Sequence, residues 1–407
     1  MRILHRGLPL SPGKCEGVLR SVSNEFDACS VEPGDVVCSD GLHPFLCGLC
    51  SQAGGFVIKG SEADHTVAYI RELWKPAIHA KGFGVPSGTT VTIDADIGVL
   101  YEGLVGEPVG RLPDPMRFRP QTPIYLFLGI PRMAQAGANL GADGVGLLRT
   151  NLIMQEVGKH PFAYIQSGQE QTLEDSLLKG ITAIAEAFPK KPVWVRTMDF
   201  STSDLRGFPG WPDEPSESNP MLGWRGLARE LDQNELLRLE FRAIRRAREN
   251  GCDNIGLIFP LVRTVGEYKR AKAILLDEGL RPHEDIRVGA MFETPSSALE
   301  VSAFIDAGLD FAFVGINDLT QYTLAADRAN SLMTRVYDPT NDAVLHLVTH
   351  VLEVCREHHV WSTMSYQSPL LSLLGRFVRA GLDSISVFPD ALNTVAGELV
   401  RQEELLH

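Results

Sequence analysis

Eight short apolar runs recur between residues 123 and 407: PIYLFLG, GVGLLRT, VWVRTMDF, IGLIFPLV, RVGAMFE, FAFVGIND, VWSTMS and SISVFPD. Segments with helical period separate most of them, EYKRAKAILLDEG and NDAVLHLVTHVLEVCREHH being the clearest. Runs of strand length alternating with helices in this way predict parallel strands joined by helical crossovers. Eight of them predict a (β/α)8 TIM barrel, with a doubly wound open sheet as the alternative.

Polar residues cluster at one end of the predicted strands. Arg149 closes the second run, Arg196 and Asp199 the third, Glu293 the fifth, and Asn317 with Asp318 the sixth. One such residue alone would be read as a helix cap or a local pair. Six at the same strand end predict a site, because the C-terminal ends of barrel strands converge on one mouth. Glu293 and Asp318 supply two carboxylates, the usual protein share for Mg²⁺, which keeps waters and substrate oxygens as its other ligands. Arg149, Arg196 and Arg328 supply planar forks suited to phosphate and carboxylate. The combination suits a small phosphorylated carboxylic acid.

Residues 1–105 follow a different pattern. Strand-like runs (GDVVC, GGFVIKG, TVTIDADIGVLYEG) alternate with Gly and Pro, and one helix, DHTVAYIRELW, carries Val67, Ile70, Leu73 and Trp74 at helical spacing. Residues 106–122 contain four prolines and read as a linker. The stretch GSEADHTVAYIREL, residues 60–73, sets His65 at the start of the helix. The position is compatible with an ordinary helical residue or with a nucleophile presented at the helix dipole.

Five of the seven cysteines fall in the first 50 residues, including Cys47 and Cys50 in CGLC. No second pair follows at ligand spacing, so Cys47 and Cys50 read as small buried apolar groups rather than a zinc or redox site. A net charge of −13 gives no general case for nucleic-acid or anionic-membrane binding. No apolar run approaches the ~20 residues of a membrane span. The N-terminal MRILHRGLPLSPG lacks the apolar core of a signal peptide. A cytoplasmic location is expected.

The chain resembles the phosphoenolpyruvate-utilising enzymes: phosphoenolpyruvate synthase, pyruvate phosphate dikinase and enzyme I of the sugar phosphotransferase system. GSEADHTVAYIRELWKPAI is similar to the family's phosphohistidine signature, while GADGVGLLRT, VRTMDF, NPMLGWRG, FPLVRTV, ETPSSAL, GINDLTQYTLAADR and GLDSISVFPD resemble its barrel motifs in order. The resemblance implies a swivelling phosphohistidine domain over 1–105, the linker, and a phosphoenolpyruvate/pyruvate-binding barrel over 123–407. It implies that His65 is the phosphorylated nucleophile and that Glu293 and Asp318 hold Mg²⁺. Arg149, Arg196 and Arg328 would bind phosphate and neighbouring oxygens, Asn317 would add a polar contact, and Arg225 would support them.

The chain also departs from that family. In the run WSTMSYQS, Met364 is read at the position of the proton-donating cysteine, leaving Ser365 beside it as the replacement donor. Asn151 stands where a Glu is usual after LLRT, Leu205 at a lysine position, and Asp64 before the histidine. No GK[ST] phosphate loop is present, so the nucleotide or acceptor chemistry is expected on a separate protein. A homodimer is expected by analogy. The reading implied is a phosphotransferase working through His65. The alternatives are a divergent biosynthetic enzyme of the same fold and a non-catalytic binding or regulatory homologue.

Overall fold

The computed structural model describes residues 2–40, 49–59, 65–106, 113–206, 208–210, 214–328, 330 and 332–406. The chain divides into two compact units, residues 1–114 with 328–331, and residues 115–327 with 332–407.

The first unit is built on an eight-stranded sheet. Its strands are β1 (Ile3–Arg6), β2 (Leu8–Ser11), β3 (Lys14–Ser21), β4 (Val36–Ser39), β5 (Gly55–Ile58), β6 (Ala77–His79), β7 (Thr90–Asp94) and β8 (Val99–Glu102), in the order β1-β8-β7-β3-β4-β5-β6-β2. Strands β3 to β6 are parallel, and antiparallel strands flank them on both sides. Leu19, Val36, Cys38, Val57, Ile78, Ile93 and Leu100 form the core. The run TVTIDADIGVLYEG is a hairpin rather than one strand. Gly98 takes a left-handed φ of 69°, and a Cβ there would lie 2.2 Å from the Gly7 carbonyl oxygen, so the turn is built for glycine. The helix His65–Glu72 buries Val67, Tyr69 and Ile70. It ends where Trp74 turns left-handed (φ 55°) and Lys75 N–H donates back to the Ile70 carbonyl, just before Pro76. Cys15, Cys38 and Cys50 are buried. Burial pushes the Cys15 thiol up to about 12 and that of Cys38 to about 11. Cys47 lies outside the described residues.

The second unit is the closed barrel. Its strands are β9 (Ile124–Phe127), β10 (Gly144–Arg149), β11 (Val193–Arg196), β12 (Ile255–Phe259), β13 (Val288–Phe292), β14 (Phe311–Val314), β15 (Trp361–Ser365) and β16 (Ser384–Val387), all parallel. Each of the eight apolar runs supplies one of them. Pairing of β16 with β9, Ser386 opposite Tyr125, closes the circuit and excludes the open sheet.

Ring contacts between non-adjacent strands show which side chains point inward. Trp194 of β11 stacks on Phe311 of β14 at 3.8 Å, and Phe127 of β9 lies 6.5 Å from Phe313. With Leu147, Ile258 and Met291 they fill the interior. The outward residues, such as Val195, Phe259, Phe292 and Val314, are equally buried, which is why the strands read as continuous apolar runs rather than alternating ones. Side-chain oxygens cap several of the covering helices. Thr264 and Glu267 form a capping box at Val265–Asp277, and Asn341 caps Asp342–Glu357.

The second half of the segment read as a linker is fastened to the barrel. Met116 N–H donates to the Leu140 carbonyl and Arg117 N–H to Asn393, while Glu403 accepts from Gln121 and Thr122 N–H.

Candidate active site

Strand register carries the inward assignment up to the mouth. Arg149 is the pairing partner of Arg196, and Arg196 pairs with Ile258, so both arginines point inward with it. Glu293 follows two residues after Met291 on the same side. Thr363 pairs with Phe313, so Ser365 also faces in, whereas Met364 pairs with Val314 and faces out, fully buried. Met364, read at the family's cysteine position, therefore faces away from the barrel interior, and Ser365 beside it faces in. Pleating puts Ser365 at the mouth and sends Met364 under the helices.

Arg196 and Asp199 are held by one side chain. Asn151 Oδ1 accepts from Arg196 Nη2 (2.9 Å) and Asp199 N–H (3.1 Å), and its Nδ2 donates to the Asp199 carbonyl (3.0 Å). A neutral amide can both accept and donate here, which an ionised glutamate could not. Asp199 in turn receives Arg225 as a two-point fork, Nε to Oδ1 at 3.0 Å and Nη2 to Oδ2 at 2.7 Å. Arg225 Nη1 reaches Asp318 Oδ1 at 3.3 Å. Two carboxylates hold the Arg225 guanidinium protonated against full burial. Burial moves Arg196 the other way, lowering it, with Asp199 opposing the shift. Arg149 lies over the Phe388 ring at 5.8 Å, and Phe388 packs edge-on to Phe127 at 4.7 Å, giving the mouth an aromatic wall.

Glu293 is 3% exposed, and its Oε2 accepts from Leu261 N–H at 2.8 Å. Burial, then the charges of Asp318 and Asp199, push its carboxyl up to about 8. Burial and two neighbouring carboxylates outweigh the opposing charges of Arg196 and Arg225, and a divalent cation shared with Asp318 would displace the proton this favours. Among the described residues no three His, Cys, Asp or Glu side chains are grouped to enclose a metal. Two carboxylates facing an open mouth fit Mg²⁺, which retains waters and substrate oxygens.

Gly315 presses against this carboxylate. A Cβ there would fall 2.5 Å from Glu293 Oε1 and 2.4 Å from its Cγ. Gly315→Ala is expected to displace Glu293 and weaken Mg²⁺ binding at least tenfold while the barrel still melts cooperatively, as calorimetric titration and thermal unfolding would show.

The remaining expected site residues are placed as follows. Asn317 Oδ1 accepts from Tyr337 Oη at 3.1 Å. Ser365 Oγ accepts from Ile316 N–H at 3.0 Å and lies 3.4 Å from the Val314 carbonyl oxygen. Arg328 groups with the first unit. The backbone of His65 opens the helix His65–Glu72, and its side chain lies outside what is described, as do residues 60–64. The structure thus brings Arg149, Arg196, Asp199, Arg225, Glu293 and Asp318 together. The bracing role of Asn151 and the aromatic wall were not legible beforehand. Asn151 is two residues beyond Arg149, and that adjacency was the available signal.

Residues 111–404 match the family profile described as PEP-utilising enzyme, PEP-binding domain, PEP being phosphoenolpyruvate. The chain belongs to the PEP-utilising enzymes. Phosphoenolpyruvate synthase of Pyrococcus furiosus is 37% identical over 99% of this chain and 51% of that protein. The probable phosphoenolpyruvate synthase of Archaeoglobus fulgidus is 35% identical over 99% of this chain and 54% of its own length. That of Aeropyrum pernix, named phosphoenolpyruvate synthase, is 32% identical over 98% and 52%. This member of the family spans about half the length of the curated relatives it matches. Among its described residues no helix is long and apolar enough to cross a membrane.

Proposed function

We propose that this chain is the phosphoenolpyruvate/pyruvate part of a phosphotransferase, passing a phosphoryl group between the barrel substrate and His65. The observation that carries the reading is the convergence of Glu293 and Asp318 with Arg149, Arg196 and Arg225 at one barrel mouth. Arg149 and Arg196 would clasp the phosphate and carboxylate of the substrate, with Arg225 fixing Asp199 and Asp318 behind them. Arg328 and Asn317 would add contacts from the segment after the sixth strand. Glu293 and Asp318 would hold Mg²⁺, which supplies charge neutralisation at the phosphate and the enolate oxygen when bound.

In the transfer, the bond from phosphorus to the enol oxygen breaks and one from phosphorus to a His65 nitrogen forms. Neutral imidazole is competent for this near pH 7. The enolate left behind is stabilised by the arginines and becomes pyruvate on gaining a proton at carbon. Phosphoryl transfer asks chiefly for positioning and charge neutralisation, which this mouth supplies. The expected partner is a separate phosphoryl-acceptor or nucleotide-binding protein.

A second reading, a barrel of this family working on another small enol phosphate, is favoured by Ser365. Its hydroxyl faces the mouth but is engaged with backbone at Ile316 and Val314, and it is a far weaker acid than a thiol. Delivery of the carbon proton from this residue would be slow.

Intact-protein mass after incubation with phosphoenolpyruvate and Mg²⁺ tests the first reading. One acid-labile phosphoryl group is expected on the parent and none on His65→Ala. No gain with phosphoenolpyruvate shown to bind would exclude His65 as the acceptor. No binding at all would leave the second reading, to be tested with other enol phosphates.

A further inference from the structure

Two fully buried carboxyl groups lie behind the arginines and take no part in the chemistry above. Glu230 sits on the helix Leu227–Asp232 and Glu240 on the helix Asn234–Glu249, each 0% exposed. They lie close enough for each to perturb the titration of the other. Two ionised carboxylates buried this close would repel, which favours keeping a proton on one of them. One oxygen of each, Glu230 Oε1 and Glu240 Oε2, receives no donor from any other group, consistent with their facing one another.

The other oxygens reach the barrel in a repeated pattern. The dipeptide Arg-Thr occurs at the ends of two adjacent strands, Arg149-Thr150 on β10 and Arg196-Thr197 on β11, with the two arginines paired across the ladder. Each arginine points into the mouth, and each threonine points outward to the acid pair. Thr150 Oγ1 donates to Glu240 Oε1 at 2.6 Å, and Thr197 Oγ1 donates to Glu230 Oε2 at 2.9 Å. Both threonines are fully buried. The charged groups facing the pair are Arg196 and Asp199, from the segment that follows β11. Arg229, next to Glu230, is turned instead to Glu214 at 2.7 Å.

We propose that Glu230 and Glu240 are positioning residues that share a proton and clamp, through Thr197 and Thr150, the strand ends presenting Arg196 and Arg149. The clamp fixes the spacing of two guanidinium groups that would otherwise repel across adjacent strands. Its integrity depends on pH, because losing the shared proton leaves two negative charges in the core. Burial supports this by raising both carboxyls, Glu240 to about 7 and Glu230 well above the usual carboxylate range. The sign follows from linkage: a carboxyl whose folded pKa is raised contributes stability at low pH that is lost as pH rises toward the folded pKa.

The test measures thermal unfolding of the metal-free chain from pH 5 to 9, and phosphoenolpyruvate binding by calorimetry with Mg²⁺. Glu230→Gln keeps an amide donor for Glu240 and an acceptor for Thr197, and it needs no proton. Its melting temperature is expected to match the parent near pH 5 and exceed it by several degrees at pH 9. Thr150→Val removes one strut without changing shape, and phosphoenolpyruvate is expected to bind it about tenfold more weakly at pH 7. Parallel melting profiles for Glu230→Gln and the parent, or unchanged binding in folded Thr150→Val and Thr197→Val, would overturn the clamp. The binding arm rests on the phosphoenolpyruvate reading, but the melting arm involves no ligand. A parent that fails to bind phosphoenolpyruvate overturns that reading and leaves the melting comparison to decide the clamp.

Discussion

Arg225→Met is expected to be the most damaging single substitution in the barrel. The guanidinium is 1% exposed and contacts Asp199 twice and Asp318 once. Methionine nearly fills the volume but takes the Arg225 charge from both carboxylates, leaving Asp199 with Arg196 at 3.5 Å. Breaking a buried ion pair from one side costs roughly 3–5 kcal/mol, which lowers the melting temperature by on the order of 10 °C in a unit of this size. Adding Asp199→Asn should recover a substantial part of the loss, because one stranded charge is then removed. Chemical denaturation of the parent and both variants checks this. A loss below about 1 kcal/mol for Arg225→Met would mean that the network contributes little.

Glu293→Gln has the largest expected effect on chemistry and the opposite effect on stability. Removing one of two carboxylate ligands should reduce Mg²⁺-dependent phosphoryl incorporation by about 10³-fold or more, in line with the several kcal/mol a metal site contributes. The metal-free variant should be more stable than the parent at pH 8–9. The Glu293 carboxyl is raised to about 8, first by burial and then by Asp318 and Asp199. Its neutral form is the one the fold prefers, so parent stability without metal falls as pH rises from about 5 through 8, by a few kcal/mol. Glutamine is neutral throughout and removes that slope. By the same linkage Mg²⁺ affinity of the parent should climb toward pH 8, by up to about tenfold per unit, as the competing proton leaves. Calorimetric titration at pH 6, 7 and 8 reads this directly, and flat affinity would show that Glu293 is not a ligand.

Much of the barrel was legible because strand and helix are written locally. Runs such as IGLIFPLV and RVGAMFE are continuous because both faces of a parallel barrel strand are covered, and each became one strand. Arg149, Arg196, Glu293 and Asp318 were legible for a related reason. A charged residue closing an apolar strand cannot be buried idly, so its position carries information. The first unit was harder. β1, β2, β3 and β6 are short or of mixed polarity, and the hairpin within TVTIDADIGVLYEG depends on Gly98 meeting the Gly7 backbone, a contact spanning most of that unit.

The sequence by itself determined the eight strands of the barrel, their alternation with helices and the chemical types that close them. Closure itself was decided by the pairing of β16 with β9. Pleat and long-range pairing decided the rest. Which of Met364 and Ser365 faces the substrate depends on register with β14, since one residue of slip turns every side chain over. That Asn151 binds Asp199, and that Thr150 and Thr197 meet two carboxyls 33 to 90 residues distant, depends on three-dimensional closure. Hydrogen bonds and ion pairs act over a few ångströms of space, and only the folded chain brings residues so far apart in sequence within that range.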